Sequence, residues 1–275
     1  MYIKTVWESF NKKYKIIKKH HTYRAQPELC SVKEKRARKQ NGTTLTQEEI
    51  NARLRSERTE KLLLENFEAG DCYLTCTYKE TPEGPEAVKN DWKNFRDRLK
   101  RLFKRIGQKF KYVYILENLY GGGRPHGHIL IPAIPREVMR KVKHLWPYGN
   151  VEIKAYGGEV LDAHRLAKYF TKEKVYKNSS TIQSSRNLIR SEEKKKLITR
   201  SETFDERMTA PQGYHIVEEL SYSGYTEEGY PIVKIFLEKD DDNDRKRLFA
   251  ANNFLEKTKF KYAVGPSGGG GKRSR

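Results

Sequence analysis

The sequence predicts an α+β fold, an antiparallel β-sheet backed by helices in the ferredoxin-like style. Three observations predict it. Four short segments rich in strand formers follow one another: Tyr73–Tyr78, Tyr112–Glu117, His126–Ile131 and Val151–Ala155. A long amphipathic pattern separates the first from the second. A loop with three glycines, Asn118 to Pro125, joins the second to the third as an antiparallel hairpin.

Taken in order, residues 1–69 read as a basic, mostly helical N-terminal extension. Asn41-Gly42 marks a turn, and Thr46-Gln47-Glu48-Glu49 is a capping-box signal for a helix running towards Phe67. The Lys/Arg run from Lys33 to Lys39 suits phosphate contacts or a solvated face, and the residues leave both open. Residues 70–180 form the central domain. After the strand at 73–78, Thr81 to Pro85 reads as a loop. Val88, Trp92, Phe95, Leu99, Leu102 and Ile106 then recur at helical spacing as a core stripe, with Lys93, Arg96, Lys100 and Lys104 on the other face. A short helix at 136–146, a strand at 151–155 and a helix from about Leu161 to Val175 complete the unit. Ser179 to Arg186 reads as a loop. Residues 181–240 form an accessory segment, with Tyr214–Val217 and Tyr230–Leu237 as a hairpin. Residues 241–275 read as a charged, disordered tail.

Lys and Arg number 56 against 36 Asp and Glu, a formal charge of +20. That excess lies far above what solubility requires and predicts a polyanionic partner, nucleic acid first. No run approaches the roughly 20 apolar residues of a membrane span, and Met1 to His20 lacks an apolar core and a cleavage site. A soluble, cytoplasmic protein is expected. Three cysteines, Cys30, Cys72 and Cys76, make no framework, and the latter two read as packed thiols. The run Gly268 to Lys272 is no phosphate-binding loop, because Arg273 stands where Ser or Thr is needed and no helix follows.

The chemistry concentrates in the hairpin. His126 and His128 are two apart in a strand and share a face. Glu117 ends the preceding strand, nine positions before His126, and a hairpin folded over 118–125 sets it beside them. One carboxylate and two imidazoles make a site for a divalent ion with open coordination positions. On the following helix, Ala163, Leu166, Ala167 and Phe170 form the core face. Tyr169 projects at its edge, with Lys172 as its neighbour one turn on.

These segments resemble, in order, the motifs of a known family. Tyr73-Leu74-Thr75-Cys76-Thr77-Tyr78, Arg124-Pro125-His126-Gly127-His128-Ile129-Leu130 and Tyr169-Phe170-Thr171-Lys172 look like those of the HUH endonucleases that initiate rolling-circle replication. The nearest likeness is to replication-associated proteins related to filamentous-phage gene II protein, and it covers roughly residues 60–240. It implies the HUH endonuclease architecture and a metal-dependent nicking enzyme. Glu117, His126 and His128 would hold Mg²⁺ or Mn²⁺. Tyr169 would attack phosphorus to give a 5′-phosphotyrosine, with Lys172 offsetting charge. The implied partners are single-stranded origin DNA, a host helicase and a host DNA polymerase, in a bacterial cytoplasm. The sequence departs from the pattern at Gly127, where a bulky hydrophobe is usual, so looser packing behind the site is expected. Glu173 stands where some relatives have a second tyrosine, and Tyr176 is the remaining candidate.

Other chemistries share these residues. A single-tyrosine transposase has the same order of histidines and tyrosine. A relaxase usually has its tyrosine ahead of the histidines. A non-catalytic DNA-binding protein would explain the charge but not Tyr169 and Lys172 in register with the hairpin.

Overall fold

The computed structural model describes residues 1–22, 45–120, 123–171, 182–198, 208–225 and 229–240. Within them are two antiparallel sheets and four α-helices, the α+β class the sequence predicts. The chain clusters into two compact units.

The central unit is built from α1 (Leu45–Asn66), β3 (Cys72–Tyr78), α2 (Gly84–Arg105), β4 (Val113–Glu117), β5 (His126–Ile131), α3 (Arg136–His144), β6 (Gly149–Ala155), α4 (Val160–Thr171) and β7 (Ile182–Ser184). From β3 to β6 this is the β-α-β-β-α-β succession of the ferredoxin-like motif. The sheet order is β6-β3-β5-β4-β7, antiparallel throughout.

Strand alternation gives this sheet two different faces. Cys72, Leu74, Cys76, Tyr78, Tyr114, Leu116, Ile129, Ile131 and Val151 pack with Val88, Trp92, Phe95, Leu99 and Phe103 of α2 and with Val142 of α3. The opposite face carries Tyr73, Thr75, Glu117, His126 and His128. α1 and α4 pack against each other; Leu63, Phe67, Ala163, Ala167 and Phe170 are buried there. Cys72 and Cys76 are buried free thiols, and burial pushes both up from the ordinary thiol range.

Behind the hairpin, a Cβ at position 127 would fall 2.2 Å from a Trp92 ring carbon. The looser packing expected at Gly127 is therefore corrected: the indole occupies the space a side chain would take, and Trp92 is fully buried.

The other unit joins sequence-distant strands. β1 (Tyr2–Glu8), β2 (Tyr14–His21), β8 (Lys194–Ile198), β9 (Tyr214–Ile216), β10 (Tyr222–Tyr225) and β11 (Pro231–Lys239) form one six-stranded antiparallel sheet. The N-terminal extension, expected to be mostly helical, is helical in α1, as the signal towards Phe67 predicts, but residues 2–8 and 14–21 are strands instead. Residues 2–8 alternate and are rich in β-branched and aromatic side chains, and both β1 and β2 find partners more than 170 residues away in sequence. The boundaries expected at 69/70 and 180/181 do not separate the units, since β1 and β2 belong with β8 to β11. The accessory hairpin forms as β9 against β11, with β10 added. Ile182–Ser184, expected in a loop, is instead the short edge strand β7. The capping-box side chains at 46 and 47, the Lys33–Lys39 run, the 41–42 turn, Cys30 and the tail from 241 lie outside the described residues. No helix among the described residues is long and apolar enough to cross a membrane.

Filling a void that is already occupied costs stability. Gly127→Val should force Trp92 from its seat and destabilise the fold by about 1–3 kcal/mol, read as a lower midpoint in urea. An unchanged midpoint would contradict this packing.

Candidate metal centre and nucleophile

β4 and β5 pair in a register that sets Glu117 directly opposite His126 and Ile115 opposite His128. The loop between them closes on Asn118, whose backbone is left-handed at φ 56°. Its side-chain amide donates to the Arg124 carbonyl at 3.3 Å. Asparagine tolerates this conformation better than most residues.

The three candidate ligands come together as expected. Glu117, His126 and His128 can each offer one ligand atom, all within 4.8 Å of one another. Glu117 Oε2 lies 3.2 Å from His126 Nε2, and Oε1 lies 3.7 Å from His128 Nε2. Each imidazole is held by its other nitrogen. His126 Nδ1 lies 3.2 Å from the Arg124 carbonyl, which can only accept, so Nδ1 carries the proton. His128 Nδ1 lies 3.1 Å from Thr75 Oγ1. With its proton on Nδ1, His128 turns the Nε2 lone pair into the cluster. Such partners fix ring orientation and tautomer at metal sites. The Tyr73 ring stacks on His128 at 5.6 Å and 12°.

The electrostatics favour a cation. Burial opposes ionisation of Glu117, but hydrogen bonds from His126 and Tyr169 and the charge of both histidines outweigh it, holding the carboxyl below its ordinary range. Burial lowers His128, helped by His126 and only partly offset by Glu117, which keeps the imidazole neutral and able to ligate. With Nδ1 of His126 donating to Arg124, a hydrogen bond from its Nε2 to the Glu117 carboxylate needs a second ring proton, the one a bound divalent ion would replace. The donor set fits a divalent ion with open positions, and imidazole suits Mn²⁺ better than Mg²⁺.

Tyr169 reaches the same point from α4. Ala163, Ala167 and Phe170 bury the helix face, and Tyr169 leaves its edge to place its hydroxyl 2.9 Å from His128 Nε2. The phenolic oxygen therefore stands at the ligand cluster. His164, on the same helix, turns elsewhere and meets the buried Glu60 of α1 at 3.1 Å. Lys172, Glu173 and Tyr176 lie outside the described residues.

The sequence pattern singles out the three cluster residues and Tyr169 but not the groups that hold them, Thr75, Tyr73 and the Arg124 carbonyl. The signal was available for the first two. Tyr73 and Thr75 alternate on one face of β3, and β3 pairs with β5, setting Thr75 opposite His128.

Comparison with known proteins agrees with the motif resemblance. Residues 71–174 match the family model of the replication-associated proteins ORF2 and phage gene II protein. That span holds β3 to β6 and α4, and with them every described residue of the site. Neither the curated proteins nor the solved structures give a match.

Mn²⁺ should bind with a 1:1 stoichiometry in calorimetry and release protons as it does so. Its affinity should fall with decreasing pH, because protons compete for the imidazoles. His126→Ala should abolish binding, and Thr75→Val should weaken it by about 10- to 100-fold with the fold intact. Wild-type affinity in Thr75→Val would show that the threonine does not orient His128.

Proposed function

We propose that the chain carrying this replication-associated segment starts rolling-circle replication by nicking one strand of its origin, with Tyr169 as nucleophile. The observation that carries it is the Tyr169 hydroxyl at 2.9 Å from His128 Nε2, at the point where Glu117 and His126 also converge. A bystander tyrosine on an amphipathic helix has no reason to end at a ligand cluster.

A divalent ion bound by Glu117, His126 and His128 would polarise the scissile phosphate and offset the charge that develops on it. The rest falls to the chain. The Tyr169 oxygen attacks phosphorus, forming a P–O bond to the phenol while the bond to the 3′ oxygen breaks. The Glu117 carboxylate, within hydrogen-bonding reach of the phenol, receives its proton. The departing 3′ oxygen takes up a proton, so the net transfer is from phenol to 3′-hydroxyl. The products are a 5′-phosphotyrosine and a free 3′ end that a host polymerase extends. The covalent bond conserves the phosphodiester energy, so a later 3′-hydroxyl can reverse the step and close a circle. Lys172, three residues after Tyr169 in sequence, is assigned the role of offsetting phosphate charge. Unwinding is left to a host helicase.

The +20 charge supports the DNA partner. In the six-stranded sheet, Lys18, Lys195 and Lys234 align with Thr5 in one row across four strands, and Lys4, Lys19 and Lys196 align in the next. Burial, then Lys18 and Lys195, lowers His20 and keeps it neutral. The rows face opposite sides of the sheet, and Lys234 of the first is buried; we assign the second, Lys4, Lys19 and Lys196, to phosphate contacts with origin DNA. A non-catalytic DNA-binding protein would use the same lysines but leaves Tyr169 unexplained.

Incubation with single-stranded DNA and Mn²⁺ should yield a protein–DNA adduct that survives SDS. Tyr169→Phe should remove it while binding stays near wild type. An adduct on the phenylalanine variant would place the nucleophile elsewhere. Binding should also weaken steeply with salt, with a log–log slope of about −0.7 per phosphate contact on single strands. A flat response would dissociate the charge from DNA.

A further inference from the structure

A groove of about 360 Å³ opens against the Tyr169 ring. Its walls include Tyr73, Tyr156 and Leu166, and Lys154, Asp162 and Arg165 supply its charges. We propose that it receives the base of a nucleotide flanking the scissile phosphate, and that Asp162 reads that base. The proposal rests on the nicking function and adds a specificity pocket to it.

Two aromatic rings are common to the groove and the metal centre. Tyr73 stacks on His128, Tyr169 hydrogen-bonds to it, and both line the groove. A strand whose phosphate lies at the ligand cluster must therefore carry a neighbouring nucleotide past this opening. The groove's size falls in the range of small-molecule sites. Aromatic and aliphatic walls suit an unstacked base, which gains from stacking whatever its identity. Lys154 and Arg165 have side chains 64% and 75% exposed, and their solvent-exposed ion pairs, with Glu152 at 3.1 Å and Asp162 at 3.9 Å, can exchange for a backbone phosphate at the rim.

Asp162 supplies selectivity. A Cβ on Gly157 would fall 1.9 Å from Asp162 Oδ2, so the absence of a side chain at 157 is what lets the carboxylate lie against that loop. Its ion-pair partner, Arg165, stands 3.9 Å away, at the outer limit of such a pair, which leaves acceptor capacity for a base. A carboxylate only accepts hydrogen bonds. Guanine presents a ring N–H and an amino group side by side, cytosine and adenine one amino group, and thymine a ring N–H alone. Guanine is thus the best match, and discrimination of about tenfold is the scale of a bidentate base contact.

A single-stranded library randomised across a central window tests this. Wild-type protein and Mn²⁺ are added, SDS-stable adducts are captured, and both product ends are sequenced. Wild type should favour guanine about tenfold at one position flanking the nick, and Asp162→Asn should erase that preference while leaving the other positions unchanged. Leu166→Trp, which fills the groove, should lower adduct yield on the preferred strand and match wild type when that one nucleotide is abasic. A flat wild-type profile beside the nick would overturn the pocket, as would an Asp162→Asn profile identical to wild type or a Leu166→Trp protein indifferent to the base. No adduct with any library member would instead sink the nicking function and the pocket with it.

Discussion

Glu117 stands opposite His126 in the β4–β5 ladder, and every property of the centre follows from that register. Side chains alternate with a period of two, so a slip of one residue would turn Glu117, or both histidines, to the back of the sheet. The carboxylate would then be lost from the cluster or the imidazoles buried against α2. The register is held at one end by the loop, where Asn118 adopts a left-handed conformation and ties its side chain to the Arg124 carbonyl. The same carbonyl fixes the His126 tautomer. One backbone oxygen therefore serves both the turn and the ligand.

The reverse face carries the complementary constraint. Gly127 sits between the two histidines and points towards α2, where the Trp92 indole takes up its space. The strand that presents the ligands is pressed from behind by the largest side chain of α2, itself packed on Phe95, Tyr114 and Trp146. A well-filled core transmits little slack, so His126 and His128 are held in place by contacts neither of them makes. α4 completes the arrangement from the other side, burying Phe170 and delivering Tyr169.

The central unit was legible because its signals are local. Helical spacing from Val88 to Leu102, strand formers at 73–78 and a glycine loop closing 117 onto 126 each sit within a short window. The cluster of Glu117, His126 and His128 was legible for the same reason, since one hairpin supplies it. Tyr169 could be placed on the edge of its helix but not at His128, because that contact depends on how α4 packs over the sheet. The N-terminal strands were hidden differently. Tyr2–Glu8 is short and its partners are β2 and β8, the latter nearly 190 residues on; no local pattern announces such a pairing. Gly127 misled because its effect depends on a residue 35 positions earlier.

Charge organises the molecule at two scales. At long range the basic excess suits a polyanionic partner. At short range the centre gathers a carboxylate held below its ordinary range and two imidazoles, a donor set that fits a divalent cation. Manganese-loaded crystals measured at the manganese absorption edge test this most directly. One strong anomalous peak is expected within bonding distance of Glu117, His126 Nε2 and His128 Nε2, beside the Tyr169 oxygen. A peak held by other residues, or none at this cluster at saturating Mn²⁺, would contradict it.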